Sequence, residues 1–219
     1  MGNNLHLHTN TNYYILSMLT GMAIGDGHIQ PSGHFSIQHC LKQFEYLKFK
    51  TDLISKTLQR PINIHEGVIN GYSWCKIVIC HEYFRRIRKI LYDDSGKKII
   101  TPALLNMLKT PMALLCWYLD DGSLTIHKKS KSELIKSREL FLSTENFNYD
   151  DNMVLARWFK NEFDVVFGVY HYKNYYRLKC NCSNAVRFFE LLPNTLPSCM
   201  AYKINLRFQY KQQKIWNFI

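Results

Sequence analysis

One short pattern, an apolar helical run that ends on an acid and a glycine, occurs twice in this chain. The first copy reads Leu-Thr-Gly-Met-Ala-Ile-Gly-Asp-Gly over residues 19–27, and the second reads Leu-Leu-Cys-Trp-Tyr-Leu-Asp-Asp-Gly over residues 114–122. Aligning the two copies places Asp26 on Asp121, 95 residues later. We interpret the chain as two related halves, each opened by one copy of this helix.

The order of the predicted elements repeats in the same way. In residues 13–98, apolar residues at helical spacing alternate with strand-like stretches and turn signals, which predicts the order α-β-β-α-β-β-α. Residues 99–219 repeat this order, whereas residues 1–12, rich in Asn, His and Thr, are predicted to be a loose leader. The predicted fold class is therefore α+β, with two duplicated halves.

The charge of the chain indicates a polyanionic partner. It has 28 Lys and Arg against 17 Asp and Glu, a formal net charge of +11, which favours nucleic acid over a merely basic soluble protein. Its seven cysteines include no CxxC pair, so neither a disulfide framework nor a zinc ribbon is expected. We expect no membrane association and an intracellular location, cytoplasmic or nucleoid-associated, because no apolar stretch is long enough to cross a bilayer.

Each copy of the pattern puts an acid at an unfavourable place. A carboxylate at the C-terminal end of a helix faces the partial negative charge of the helix dipole. If the helices pack side by side, which the small residues Gly21 and Gly25 permit, Asp26 and Asp121 would meet and require a cation. Paired carboxylates suit Mg²⁺, with Mn²⁺ as an alternative, and indicate metal-assisted phosphodiester hydrolysis. The alternative is that Asp-Gly merely ends each helix, with Gly27 in a left-handed turn.

Both copies resemble the signature helix of the LAGLIDADG homing endonucleases, in the single-chain form that carries two pseudo-symmetric copies. The resemblance covers residues 13–210. The first copy departs from the signature at Ile24, where the family has an acid, and the second at Cys116, where a glycine is usual, with bulky Trp117 and Tyr118 after it. The resemblance implies two antiparallel four-stranded sheets that form a DNA-binding saddle, with the motif helices packed at the centre.

The resemblance also implies the residues of the active site. The last acids of the two motifs, Asp26 and Asp121, would bind the metal, and the carbonyl groups of the preceding residues, Gly25 and Asp120, would also face it. Two lysines match family positions that polarise the scissile phosphate or help activate water, namely Lys98 and Lys203. Without the resemblance, these two would be solvated lysines among many. Polar groups around the metal-bound waters would come from Gln38 or Cys40 in the first half and from Glu145 in the second.

Specificity for DNA would come from the polar faces of the strands, because β-ribbons fit into the major groove. The candidates in the first half are His28, Gln30, His34, Ser36, Gln38, Asn63, His65, Trp74 and Lys76. Those in the second half are Ser123, Thr125, His127, Arg138, Arg177 and Lys179. The alternative for each of them is a solvated surface residue or a contact to phosphate.

The function that the resemblance implies is cleavage of both strands at a long asymmetric site in double-stranded DNA. The enzyme would act as a monomer without a protein partner, cut across the minor groove and leave short 3′ overhangs. Two alternatives stay open: an RNA-binding maturase that assists splicing of its own intron RNA, and a DNA-binding regulator that does not cut. The retention of both acids favours the nuclease.

Overall fold

The computed structural model describes residues 4–128 and 135–204, which form two halves with the same order of elements. The first half contains α1 (Asn4–Ile24), β1 (His28–Ile29), β2 (His34–Cys40), α2 (Phe44–Leu58), β3 (His65–Ile69), β4 (Tyr72–Cys80) and α3 (Glu82–Leu91). A short helix, α4 (Pro102–Met107), leads to the second half. That half contains α5 (Pro111–Asp121), β5 (Gly122–Lys128), β6 (Ile135–Leu142), α6 (Tyr149–Phe163), β7 (Gly168–Tyr172), β8 (Tyr175–Asn181), α7 (Cys182–Glu190) and a closing 3₁₀ turn (Ser198–Lys203).

The two halves have the same sheet topology. The first sheet has the strand order β1-β2-β4-β3 and the second has the order β5-β6-β8-β7, and every pairing is antiparallel. In β2, burial alternates residue by residue, so that Phe35 and Ile37 enter the core while His34 and Gln38 stay exposed. The predicted duplicated α+β fold is confirmed.

The motif helices α1 and α5 pack against each other at the centre, and glycines set how closely they approach. A Cβ atom on Gly21 would lie 2.3 Å from the carbonyl oxygen of Ala113, and one on Gly25 would lie 2.4 Å from the Asp120 carboxylate. Near the other end of this contact, the hydroxyl groups of Ser17 and Thr110 are 2.6 Å apart. The expected close approach at Gly21 and Gly25 is confirmed.

We expect Gly21→Ala to lower the free energy of unfolding by about 1–3 kcal/mol, because the new methyl group overpacks a backbone contact that has no side chain to move. Gly168→Ala is the matched control, since its Cβ would lie 3.8 Å from the nearest atom, an ordinary van der Waals contact. Denaturant unfolding of the two variants measures the difference. Equal denaturant midpoints for Gly21→Ala and Gly168→Ala would show that the two helices can move apart without loss of stability.

The bulky residues of the second motif face away from α1. Trp117 stacks on Phe159 with ring centroids 6.0 Å apart, and Tyr118 meets Phe188 edge to face at 5.4 Å. Both side chains are buried in the core of the second half. They therefore leave the interface between the motif helices to smaller groups.

Two local predictions are wrong. The backbone is helical from Asn4, inside the predicted loose leader over residues 1–12, because a helix that is already packed extends at the gain of one hydrogen bond per residue. Gly27 does not adopt a left-handed φ. It is needed for space, since its Cβ would lie 2.5 Å from the Met22 carbonyl oxygen and 2.6 Å from the Phe35 ring. The charged stretch over residues 130–137, whose sequence predicts a connection between two strands of the second half, lies largely outside the described residues.

None of the helices in the described ranges combines the length and the hydrophobicity that a bilayer crossing requires.

Candidate active site

The two motif acids lie at the C-terminal ends of the central helices, in unequal surroundings. Asp26 follows α1, and its side chain is 44% exposed. Asp121 is the last residue of α5; its half-buried carboxylate accepts a hydrogen bond of 3.1 Å from Trp117 Nε1. Burial, followed by the charges of Asp120 and Asp26, raises the pKa of Asp121 to about 8. Burial and the Asp120 charge also raise the pKa of Asp26.

The side chain of Asp120 crosses from the second half into the first. Its carboxylate accepts hydrogen bonds from the Asp26 backbone N–H (3.0 Å), the Tyr46 hydroxyl (2.7 Å) and Lys50 Nζ (2.5 Å). The sequence predicted a role for the Asp120 carbonyl group only. One sequence signal could have predicted this contact. Lys50 lies four residues from both Tyr46 and Ile54, so it falls on the apolar face of its helix.

The two predicted lysines occupy equivalent places in the halves. Lys98 Nζ donates to the carbonyl oxygens of Gly25 (2.7 Å) and Ile24 (3.1 Å), which end α1. Lys203 Nζ donates to those of Leu119 (2.6 Å) and Asp120 (3.1 Å), near the end of α5. Each ammonium group thus balances the negative end of one helix dipole. Burial lowers the pKa of both lysines, and the nearby acids oppose that shift.

His39 lies at this site although the sequence did not single it out. Its Nδ1 is 3.6 Å from Asp26 Oδ2, whereas the predicted Gln38 and Cys40 point to the exposed face of β2. Burial, followed by the Lys50 charge, lowers the pKa of His39 to about 4, so that the imidazole is neutral at neutral pH. The alternation of β2 was the available signal, because it places His39 on the same face as Phe35 and Ile37.

The side chains present suit a divalent cation. Asp26, His39 and Asp120 each offer one ligand atom, and these atoms lie within 4.8 Å of one another. Carboxylate oxygens suit Mg²⁺ and Mn²⁺, and imidazole nitrogen widens the choice to other transition metals. Burial and neighbouring carboxylates raise the pKa values of Asp26 and Asp121, and the nearby lysines offset this rise only in part. A bound cation would favour the ionised form of both carboxyl groups.

Most of the predicted DNA-contacting residues are accessible on the strands or beside them. Those that are exposed are His28, Gln30, His34, Gln38, Asn63, His65, Ser123, Thr125 and His127. Those that are half-buried are Ser36, Trp74, Lys76, Arg177 and Lys179. The prediction for Arg138 is wrong, because its side chain is only 4% exposed and the alternation of β6 turns the neighbouring Glu139 outward instead.

Cations on the second sheet are held in place by their neighbours. The Arg177 guanidinium lies 4.5 Å from the centre of the Phe141 ring and 4.3 Å from that of Tyr172. Arg177 Nη1 is also 3.8 Å from Glu145, a residue predicted to surround metal-bound waters. Lys179 pairs with Glu139 at 2.7 Å. Such ordering reduces the entropy that these side chains would lose on meeting a ligand.

A basic chain with two α+β halves, whose central helices bring acids and lysines together beside two four-stranded sheets, has the organisation of a pseudo-dimeric nuclease. Residues 16–188 match the profile of the LAGLIDADG DNA endonuclease family, and the chain belongs to that family.

The chain is also similar to individual proteins and to a solved structure. Probable intron-encoded DNA endonuclease 3 of Mycosarcoma maydis is 27% identical over 143 residues, which are 64% of this chain and 96% of that protein. The protein RecA of Mycolicibacterium flavescens is 28% identical over 122 residues, 53% of this chain; the chain spans only 27% of that relative's length. The fold is similar to that of the homing endonuclease I-WcaI bound to its DNA recognition sequence, with a TM-score of 0.69, 21% identity and coverage of 93% of this chain and 94% of that one.

Proposed function

We propose that this protein is a site-specific endonuclease that hydrolyses both strands of double-stranded DNA with a divalent metal, Mg²⁺ or Mn²⁺, at a long asymmetric site. The observation that carries the proposal is the meeting of Asp26, Asp121, Lys98 and Lys203 at the ends of the two motif helices. This cluster unites groups that can hold a cation with groups that can stabilise a phosphate in the transition state. Membership of an endonuclease family supports the same activity.

Asp26 and Asp121 would hold the metal, and side-chain atoms of Asp120 and His39 lie within 4.8 Å of the Asp26 carboxylate. When bound, such a cation activates water and neutralises charge on the phosphate. Lys98 and Lys203 place one ammonium group beside each acid, where it can stabilise negative charge that develops on a phosphate oxygen. The hydrogen bonds from these lysines to helix-end carbonyls fix the positions of both charges in advance.

The sheets would bind the DNA. Their accessible polar residues, together with the preordered Arg177 and Lys179, suit base edges and phosphates in the major groove. The net charge of +11 favours binding whose affinity falls steeply with salt, because neutralised phosphates release counterions. The monomeric state and intron RNA as a second partner stay predictions.

Selection by cleavage tests the proposed function and identifies the target site in the same experiment. A library of randomised DNA duplexes is incubated with the protein and Mg²⁺, and the cut molecules are amplified and sequenced. We expect one asymmetric consensus with 3′ overhangs, lost in the double variant Asp26→Asn, Asp121→Asn. Sequence-specific binding without cutting in Mg²⁺ or Mn²⁺ would overturn the proposal and favour a regulator. Binding confined to structured RNA would favour a maturase.

We expect Lys98→Met and Lys203→Met each to reduce cleavage by about 10²–10³-fold while affinity for the selected duplex changes little, because each removes a charge aimed at the transition state. Lys97→Met is the matched control, since Lys97 is the exposed neighbour of Lys98. Single-turnover cleavage and binding in Ca²⁺ separate the two effects. A parallel loss of affinity and cleavage would place these lysines in ground-state DNA binding instead.

A further inference from the structure

A buried ion pair joins the two halves at one side of the active site only. Lys50 Nζ, on α2 of the first half, is 2.5 Å from Asp120 Oδ1 on the second motif helix, and both side chains are fully buried. The corresponding residues on the other side are uncharged. Asp120 precedes the last motif acid as Gly25 does in the first copy, and Lys50 is the seventh residue of α2 as the buried Leu155 is of α6.

Two sets of contacts connect this ion pair to Asp26. In the first, the Asp120 carboxylate accepts the Asp26 backbone N–H at 3.0 Å and so fixes the chain where it leaves α1. Tyr46 also donates to this carboxylate, at 2.7 Å, and holds it in position. The backbone of one catalytic acid is thereby tied to a side chain from the other half.

The second set of contacts passes through His39. Lys50 Nζ lies 3.3 Å from His39 Nε2, and an ammonium group has donors only, so Nε2 accepts. The single proton of the neutral imidazole is then on Nδ1, the atom that lies 3.6 Å from Asp26 Oδ2. Lys50 therefore selects the tautomer that presents an N–H group to the Asp26 carboxylate.

The residues that surround Asp121 differ from those that surround Asp26. Antiparallel pairing in the two sheets makes Thr144 the counterpart of His39, and its hydroxyl donates to Asn152 at 2.5 Å. The Asp121 carboxylate is held by Trp117 Nε1 at 3.1 Å, whereas the first motif has Met22 in the place of Trp117. Each acid thus has its own support, built from residue types that differ between the two sides.

We propose that Lys50 and His39 are positioning residues for Asp26. Cleavage of the DNA strand that Asp26 serves then depends on them, and cleavage of the other strand does not. The inference rests on the proposed endonuclease activity. Lys50 acts by orienting Asp120 and His39, and His39 acts by orienting the Asp26 carboxylate. Neither residue is required to contact DNA.

Strand-resolved kinetics test the proposal. The selected duplex carries a different label on each strand, and Asp26→Asn identifies the strand that Asp26 serves. We expect Lys50→Met and His39→Leu to slow cleavage of that strand about 10–100-fold more than cleavage of the other, the range known for groups that orient metal ligands. Lys48→Met, an exposed lysine on the same helix, should leave the ratio unchanged. Equal slowing of both strands would overturn the proposal.

A second measurement does not depend on cleavage. Nitrogen-15 NMR of the histidine rings in the metal-free protein should show His39 as the Nδ1–H tautomer in the wild type and as a mixture, or the other tautomer, in Lys50→Met. If Lys50→Met fails to fold, Lys50→Leu combined with Asp120→Ala replaces it. A wild-type Nε2–H tautomer would refute the positioning role even if DNA is cut. Failure of the wild type to cut any DNA would refute the proposed function and leave the tautomer result interpretable.

Discussion

Asp26→Asn and Asp121→Asn should each abolish double-strand cleavage and leave at most a nick in the strand that the other acid serves. Asparagine keeps the size of the side chain but removes the negative charge that a divalent cation requires. Gel analysis of a supercoiled plasmid that carries the selected site distinguishes linear, nicked and intact DNA. DNA binding in Ca²⁺ is the control, and it should persist in both variants. Retained linearisation by either variant would refute the proposed metal site.

Asp121→Asn also has a consequence for stability, which can be measured without DNA. The pKa of Asp121 is raised to about 8 in the folded chain, so between its ordinary value and 8 the folded state binds the proton more tightly than the unfolded state does. In the absence of metal, stability should therefore fall as the pH rises through this range. Asp121→Asn should remove that contribution to the slope. Urea unfolding at pH 6 and pH 8 measures it, and an unchanged slope would mean that Asp121 is ionised without a cation.

Lys50→Met should lower the free energy of unfolding by about 3–5 kcal/mol, because it leaves the carboxylate of Asp120 buried without its counter-charge. The double variant Lys50→Leu, Asp120→Ala should recover much of this loss, since it approaches the Gly25 and Leu155 arrangement of the opposite side. Recovery should be incomplete, because the Tyr46 hydroxyl and the Asp26 N–H lose their shared acceptor. Denaturant unfolding of the set, with Lys48→Met as control, measures these differences. A double variant as unstable as Lys50→Met would contradict this account.

The sequence was sufficient for the fold because the signals that determine it are local. Apolar periodicity, the Asn70-Gly71 turn and the repeated helix ending in Asp-Gly predicted the order of the elements, and the structure has both turn residues at positive φ. The ends of single elements follow less closely from these signals: the apolar alternation around β3 starts at Ile62, whereas the strand begins at His65. The resemblance supplied Lys98 and Lys203, which occupy equivalent helix ends.

Contacts between distant side chains were not predictable in the same way. Lys50 lies on the apolar face of α2 with Tyr46 and Ile54, but only the approach of the second motif helix supplies Asp120 as its buried partner. His39 lies on the buried face of β2, whereas its polar neighbours Gln38 and Cys40 lie on the exposed face from which DNA contacts were predicted. Arg138 failed for a related reason: the phase of a strand decides which of two adjacent polar residues faces solvent, and composition does not specify that phase.

The buried charge pair also determines which halves can be exchanged between related proteins. Lys50 belongs to the first half and Asp120 to the second, so a chimera that takes one half from another relative separates the two charges unless the incoming half carries the matching residue. The glycine contact at Gly21 makes no comparable demand, because it is a contact with the backbone of Ala113. The seventh residue of α2 and the one before the last motif acid are therefore the first pair to compare when halves of two relatives are combined.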